Sequence, residues 1–301
     1  MPEQQPASRP PVVEPGRRTR TGRFGSFIRR MVLPVLCAAG LFPVFYFSVI
    51  EMGIAQASAQ SSEYEVSEIG PLNRFVDNVA FGVGEKLTFD INYGFINAGS
   101  ATMEVARLIE YEGRPAYQLV TKAWSNSFFS SFFRVEDRVE SIMDATGLFS
   151  WRFEKILREG SYRSDRRYAL DQRNNLVVYK GDTIDIEPFS QDALSTLFYV
   201  RTQPLQIGTS IFVDTFVDGE GYKLEVQVIG RETITVDAGT FDCLVVEPLT
   251  QSVGLFKHEG RLKVWLTDDR LRMPVLMKTK VVVGSITAEL IDYELGSLEE
   301  F

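Results

Sequence analysis

From Gly84 onward the chain alternates apolar and polar residues in short runs. Leu87, Phe89, Ile91 and Tyr93 interleave with Thr88, Asp90 and Asn92. A period of two gives a strand one buried and one wetted face. Further runs of strand character are 101–109, 116–122, 134–143, 150–157, 162–170 and 176–180. After an interruption come 183–187, 210–216, 223–229, 233–236, 242–247, 261–266, 274–283 and 285–293. Turn chemistry separates them: Glu112-Gly113, Glu159-Gly160, Asn174-Asn175, Gly181-Asp182, the stretch Asp218-Gly219-Glu220-Gly221, and Ala238-Gly239. The pattern predicts a mainly β fold, an antiparallel meander forming a curved half-barrel or barrel.

One run breaks the strand period and predicts the one main helix. Ser190 suits an N-cap and Asp192 the first turn. Leu194, Leu197 and Phe198 share a face, Arg201 follows a turn later, and Pro204 ends the run. A single helix among antiparallel strands is expected to plug or flank the concave side of the sheet. Residues 84–296 read as a single β domain, preceded by a linker or N-terminal arm over 60–83.

The first 59 residues read differently. Seven Arg lie within residues 1–30, and Met31 to Ile50 is an uncharged run of 20 residues. The small-x-small patterns Ala55-Gln56-Ala57 and Ala57-Ser58-Ala59 follow. Together these predict a signal sequence cut after Ala59, or an uncleaved anchor to the inner membrane through residues 31–50. Both readings export the remainder to the periplasm. Arg29-Arg30 and Cys37 fit twin-arginine and lipidation signals poorly.

Charge and composition narrow the chemistry. The 301 residues carry a formal net charge of −8. Residues 1–59 hold seven basic and three acidic side chains, so removing them takes the net charge to −12. Such acidity argues against nucleic acid as a partner. One His and two Cys leave no material for a zinc site or a disulfide framework. His258 reads as an exposed turn residue. Cys243, on one face with Phe241 and Val245, reads as a small core residue. No phosphate-cradling loop is present, and the stretch Asp218–Gly221 lacks calcium-ligand spacing. The expectation is no cofactor, no metal and no catalytic residue.

Three features invite a functional reading. Acidic pairs, Glu136-Asp137, Asp182 with Asp185, and Asp268-Asp269, could serve a hydrolase, but 37 acids outside the leader make such pairs common by chance. Asp268-Asp269 suits a turn. Arg152, Arg158, Arg163, Arg166 and Arg167 cluster over two neighbouring strands. They offer an anionic-ligand site or cross-strand pairs with Glu154, Glu159 and Asp165. The segment Trp124-Ser-Asn-Ser-Phe128-Phe129-Ser-Ser-Phe132-Phe133 fits neither helix nor strand period. It is expected either to line a pocket, enter a membrane interface or bind a partner, or to fold over the barrel end as core.

Four local patterns resemble the bacterial exported domain of unknown function family 3108. They are Gly84-Glu-Lys-Leu-Thr-Phe-Asp-Ile-Asn-Tyr-Gly94 running on to Ala98-Gly99, the helix 192–201, Val236-Asp-Ala-Gly-Thr-Phe-Asp-Cys243 running on to Pro248, and Trp265-Leu-Thr-Asp-Asp269 followed by Met273-Pro274-Val275. The resemblance implies an exported, mostly β domain and brings no catalytic residues with it. The expected function is a non-catalytic envelope module binding a lipid, a lipid-linked glycan or an envelope protein. Its candidate ligand residues are Trp124, Phe128, Phe129, Phe132, Phe133, Arg152 and Arg163. Membrane contact would come through the N-terminal segment or the aromatic loop. The alternatives are a protein-interaction scaffold and a carboxylate-dependent envelope hydrolase.

Overall fold

The computed structural model describes residues 72–249, 262–280 and 284–298. The expected signal sequence or anchor, its expected cut site after Ala59, Cys37 and His258 lie outside them. Among the described residues, fourteen antiparallel strands form one sheet. The first eight are β1 (Lys86–Tyr93), β2 (Ile96–Tyr111), β3 (Arg114–Ser125), β4 (Glu136–Asp144), β5 (Ser150–Glu159), β6 (Tyr162–Asp171), β7 (Leu176–Tyr179) and β8 (Asp182–Asp185). The rest are β9 (Ser210–Val217), β10 (Glu220–Val236), β11 (Gly239–Leu249), β12 (Lys263–Thr267), β13 (Pro274–Lys280) and β14 (Ser285–Glu294). A helical turn, α1 (Ser127–Ser130), joins β3 to β4, and the main helix α2 (Ala193–Arg201) joins β8 to β9.

The sheet order runs β8 to β1, then β14 back to β9. The first and last strands therefore pair in the middle, and the two edges belong to the strands that flank α2. Sequence neighbours are sheet neighbours everywhere else, so each short turn fixes a local register. One reading from the pattern alone is corrected. Runs 223–229 and 233–236 are a single strand, β10, whose register against β11 shifts between Val228 and Gly230. A bulge there resembles a break, because one extra residue inverts the alternation.

The sheet curls round one apolar core. Leu87, Phe89, Ile91, Val105, Leu119, Val139, Phe153, Leu244, Leu266 and Leu290 are all buried in it. Helix α2 fills the concave space, with Leu194, Phe198 and Val200 in the same core. Its polar residues are buried too, so each needs a partner. Ser190 is not the cap. Asp192 is, because Ser195 stands at the position that completes a reciprocal box. Asp192 accepts from the Leu194 and Ser195 amides, and the Ser195 hydroxyl accepts from the Asp192 amide. The Ser141 and Ser150 hydroxyls also donate to Asp192. Burial pushes the Asp192 carboxyl up, and these four donors oppose the shift.

The other end of α2 is tied to β1 through a buried ion pair. Arg201 donates from Nη1 and Nη2 to the two Glu85 oxygens at 2.6 and 2.7 Å. It also donates to the Ala80 and Leu271 carbonyls. Phe81 and Phe198 flank the guanidinium, each ring 5.3 Å away. Glu85 and Arg201 belong to two of the patterns quoted above, and their distance in sequence hid the pairing.

The two sheet ends meet through side chains. Lys155 Nζ lies 2.6 Å from Asp218 Oδ1, both side chains largely covered, with Arg166 3.7 Å from the same oxygen. Tyr168 meets Phe216 edge to face at 5.4 Å. Among the described backbone, an isolated parallel bridge from Gln191 to Thr215 adds a link at the β9 edge.

Candidate functional site

Strands β1, β3 and β5 all end at the same pole of the curled sheet. There the β1–β2 turn, the β3–β4 connection and the β5–β6 turn lie side by side. Asn126 caps α1 by accepting from the Phe129 amide, and its Nδ2 donates to the Asn97 carbonyl at 2.8 Å, tying the first two connections together. Ser125 Oγ accepts from the Val135 amide and bonds the Ser130 hydroxyl. These short polar side chains satisfy the backbone of a segment too apolar to do so through charge.

The five aromatics divide by face. Phe129 and Phe133 turn inward and pack with Ala98, Val135 and Tyr93. Phe133 lies over Gly160, where a Cβ would stand 2.7 Å from its ring and where φ is +57°. Glycine alone suits that position. Trp124, Phe128 and Phe132 turn outward, 41%, 68% and 43% exposed. The segment is thus part core and part surface. The sequence reading missed Phe95 and Ile96 on the adjoining turn, which stand fully and half exposed. Gly94, one residue earlier, was the available signal, since a glycine at positive φ ends β1 and turns the chain outward.

Arg163 lies beside this rim, donating to the Gly160 and Tyr162 carbonyls. Arg152 does not. It stands near the opposite end of β5 and pairs with Glu140. The arginine cluster is dispersed by the pleat. Arg158 pairs with Asp165 and Arg167 with Glu154 on the outer face, whereas Arg166 points inward toward Asp218. Glu159, one of the expected partners, also points inward.

Glu159 meets Asp137 instead. The two carboxyls are hydrogen-bonded to each other, both about 5% exposed, and Asp137 Oδ1 accepts from the Arg158 amide at 2.8 Å. Burial first, and then the neighbouring Glu159 charge, push the Asp137 carboxyl up to about 7. Asp137 was expected to pair with Glu136, but adjacent strand residues face opposite ways. Glu136 is exposed and holds Arg134 at 2.9 Å. Asp182 and Asp185 are exposed on the β8 edge. Asp268 pairs with Arg231, and Asp269 accepts from Thr267, Leu271 and Arg272 to shape the β12–β13 turn. Thr240, Phe241, Asp242, Thr267, Asp268 and Asp269 line a shallow depression of about 260 Å³.

Cys243 is buried between Val245, Trp265 and Val275, and burial pushes its thiol up to about 12. Such a thiol is a poor nucleophile. Among the described residues, no group of three or more His, Cys, Asp or Glu is placed to hold a metal ion. Nor is any helix among them long and apolar enough to cross a membrane.

The fold defines a class first: a mostly antiparallel β protein whose single sheet curls like a barrel without closing by hydrogen bonds. Residues 88–291 match the family described as protein of unknown function DUF3108, and the chain belongs to that family. Among solved structures it is similar to a β-barrel-like protein of domain of unknown function DUF1849 from Brucella abortus. That likeness has 10% identity and a TM-score of 0.49, covering 73% of this chain and 100% of that one. A "putative lipoprotein" from Parabacteroides distasonis matches at 10% identity and TM-score 0.32, over 74% and 100% of the two chains. A "putative exported protein with YmcC-like fold" from Bacteroides fragilis matches at 13% and 0.27, over 73% and 99%. No curated protein matches the sequence.

Proposed function

We propose that this protein is a non-catalytic binding module of the bacterial cell envelope, exported by its N-terminal segment, that holds an apolar or lipid-linked ligand at the aromatic rim. The observation that carries this reading is the outward exposure of Phe95, Ile96, Trp124, Phe128 and Phe132 on adjoining connections. Large exposed apolar groups gathered at one pole cost solubility unless something covers them. The concave face is a weaker candidate, since α2 and the core side chains fill it.

A hydrolytic reading is disfavoured by geometry. Asp137 and Glu159 share a hydrogen bond, whereas glycosidic carboxyls stand roughly 5 Å or more apart to admit the sugar and water. Both are also buried, with little surface open to a substrate.

The test is native purification of the full-length protein from the envelope, followed by extraction and mass spectrometry of co-purifying lipids and glycans. The expected result is a stoichiometric apolar ligand that is lost from a Phe128→Ser/Phe132→Ser variant of unchanged stability. A ligand retained equally by that variant, or none in the parent, refutes the rim as the site.

A further inference from the structure

We propose that the aromatic rim docks on the headgroup layer of an anionic lipid bilayer. This deepens the reading of the rim as an apolar contact and rests on it. Tyr93–Asn97 and Trp124–Phe133, two adjoining connections, together contain no charged residue. Within two residues on either side of them, the charged residues are Lys122 and Arg134, both cationic. Lys122 is exposed on the same face of β3 as Trp124. Arg163 follows the β5–β6 turn, against which Phe133 packs at Gly160, and Lys280 ends β13 opposite Ser285, whose carbonyl accepts from the Gly94 amide. The nearby carboxylates are Glu136, opposite Trp124 and paired with Arg134, Asp90, one strand beyond Ser100 on the same row and accepting from the Ser100 hydroxyl, and Glu159, buried on Asp137. In a chain of net charge −8, Lys122, Arg163 and Lys280 thus set cationic side chains beside the exposed rings of this pole.

That arrangement complements a bilayer in both of its layers. Aromatic rings favour the interfacial zone, where an apolar body and a wet surroundings coexist. Flanking Lys and Arg reach anionic headgroups while their stems cover apolar surface. A protein partner would need matching carboxylates at several separate points, whereas an anionic bilayer supplies charge laterally without a set register. The described chain begins at the other pole, where Arg114 donates to the Leu72 carbonyl and Leu72 packs near Trp151. The described residues before β1 therefore leave the rim clear.

Trp124 supplies a local probe, because Trp151 and Trp265 are buried and the chain has three Trp. The full-length protein is mixed with phosphatidylglycerol-containing vesicles whose acyl chains are brominated, and with phosphatidylcholine vesicles brominated in the same way. Quenching reports the depth of Trp124 itself, whatever the N-terminal segment does. The expected result is quenching by the anionic vesicles, absent in Trp124→Phe and weakened roughly tenfold by Phe95→Ser/Phe128→Ser. Lys122→Glu/Lys280→Glu should remove the preference for anionic lipid while leaving the aromatic contact. No quenching by either vesicle overturns the proposal, and so does equal quenching by both. A rim-dependent self-association that shields Trp124 without lipid also overturns it, in favour of a second copy. Retention of an extractable lipid without bilayer quenching overturns the docking alone and leaves the binding module standing.

Discussion

Replacing Asp137 with Asn should stabilise the protein, and should do so only above acid pH. In the folded state the Asp137 carboxyl titrates near 7, against an ordinary value of 3.8. The folded form therefore holds a proton that the unfolded chain releases about three pH units earlier. Below pH 4 both states are protonated and the pair costs nothing. Between pH 4 and 7 the unfolded state gains by ionising, so stability falls as pH rises, and above 7 the loss is complete. Three units correspond to about 4 kcal/mol at most. An Asn side chain keeps an oxygen for the Arg158 amide and offers an N–H to Glu159, so the folded geometry survives. The measurement is urea unfolding of both proteins by Trp fluorescence at pH 4.5 and pH 8. The expected gain is small at the lower pH and on the order of 2–4 kcal/mol at the higher. A gain of equal size at both values, or a loss at pH 8, refutes the shared-proton account.

Asp218→Ala should destabilise by about 3–5 kcal/mol, because it leaves Lys155 buried without its counter-charge at the seam; thermal unfolding checks this, and a cost under about 1 kcal/mol would mean the seam holds without the pair. Arg201→Met and Glu85→Gln should each cost about 3–5 kcal/mol and the double variant less than their sum, read as a double-mutant cycle; additive losses would show that the two do not act as a pair. Gly160→Val should cost about 1–3 kcal/mol and raise solvent access to Phe133, read by hydrogen exchange over 124–135; unchanged protection there would refute the contact.

Much of the fold was legible before any coordinates. Alternation of Leu87, Phe89, Ile91 and Tyr93 is local information, and so is the turn chemistry of Gly113, Gly160 and Gly219. A meander needs little else, since each strand pairs with its sequence neighbours. The helix was legible for the same reason, and its cap was misplaced because Ser190 and Asp192 are equally good acceptors until the reciprocal bond from Ser195 chooses between them. The aromatic segment was visible as an anomaly of composition. Its split into core and surface was not, because that depends on which rings find Ala98, Val135 and Gly160 beneath them.

What tertiary structure decided lies between residues far apart in the chain. The pairing of β1 with β14, Glu85 with Arg201, Lys155 with Asp218 and Asp137 with Glu159 leaves no periodic trace. Charged residues look alike in sequence whether they end in water or against each other in the core. Only the curl of the sheet brings the β1–β2 turn, with Phe95 and Ile96, beside Trp124 and Phe128 to make one apolar pole. Sequence sets which faces a strand offers; the closing geometry of the sheet sets what each face meets.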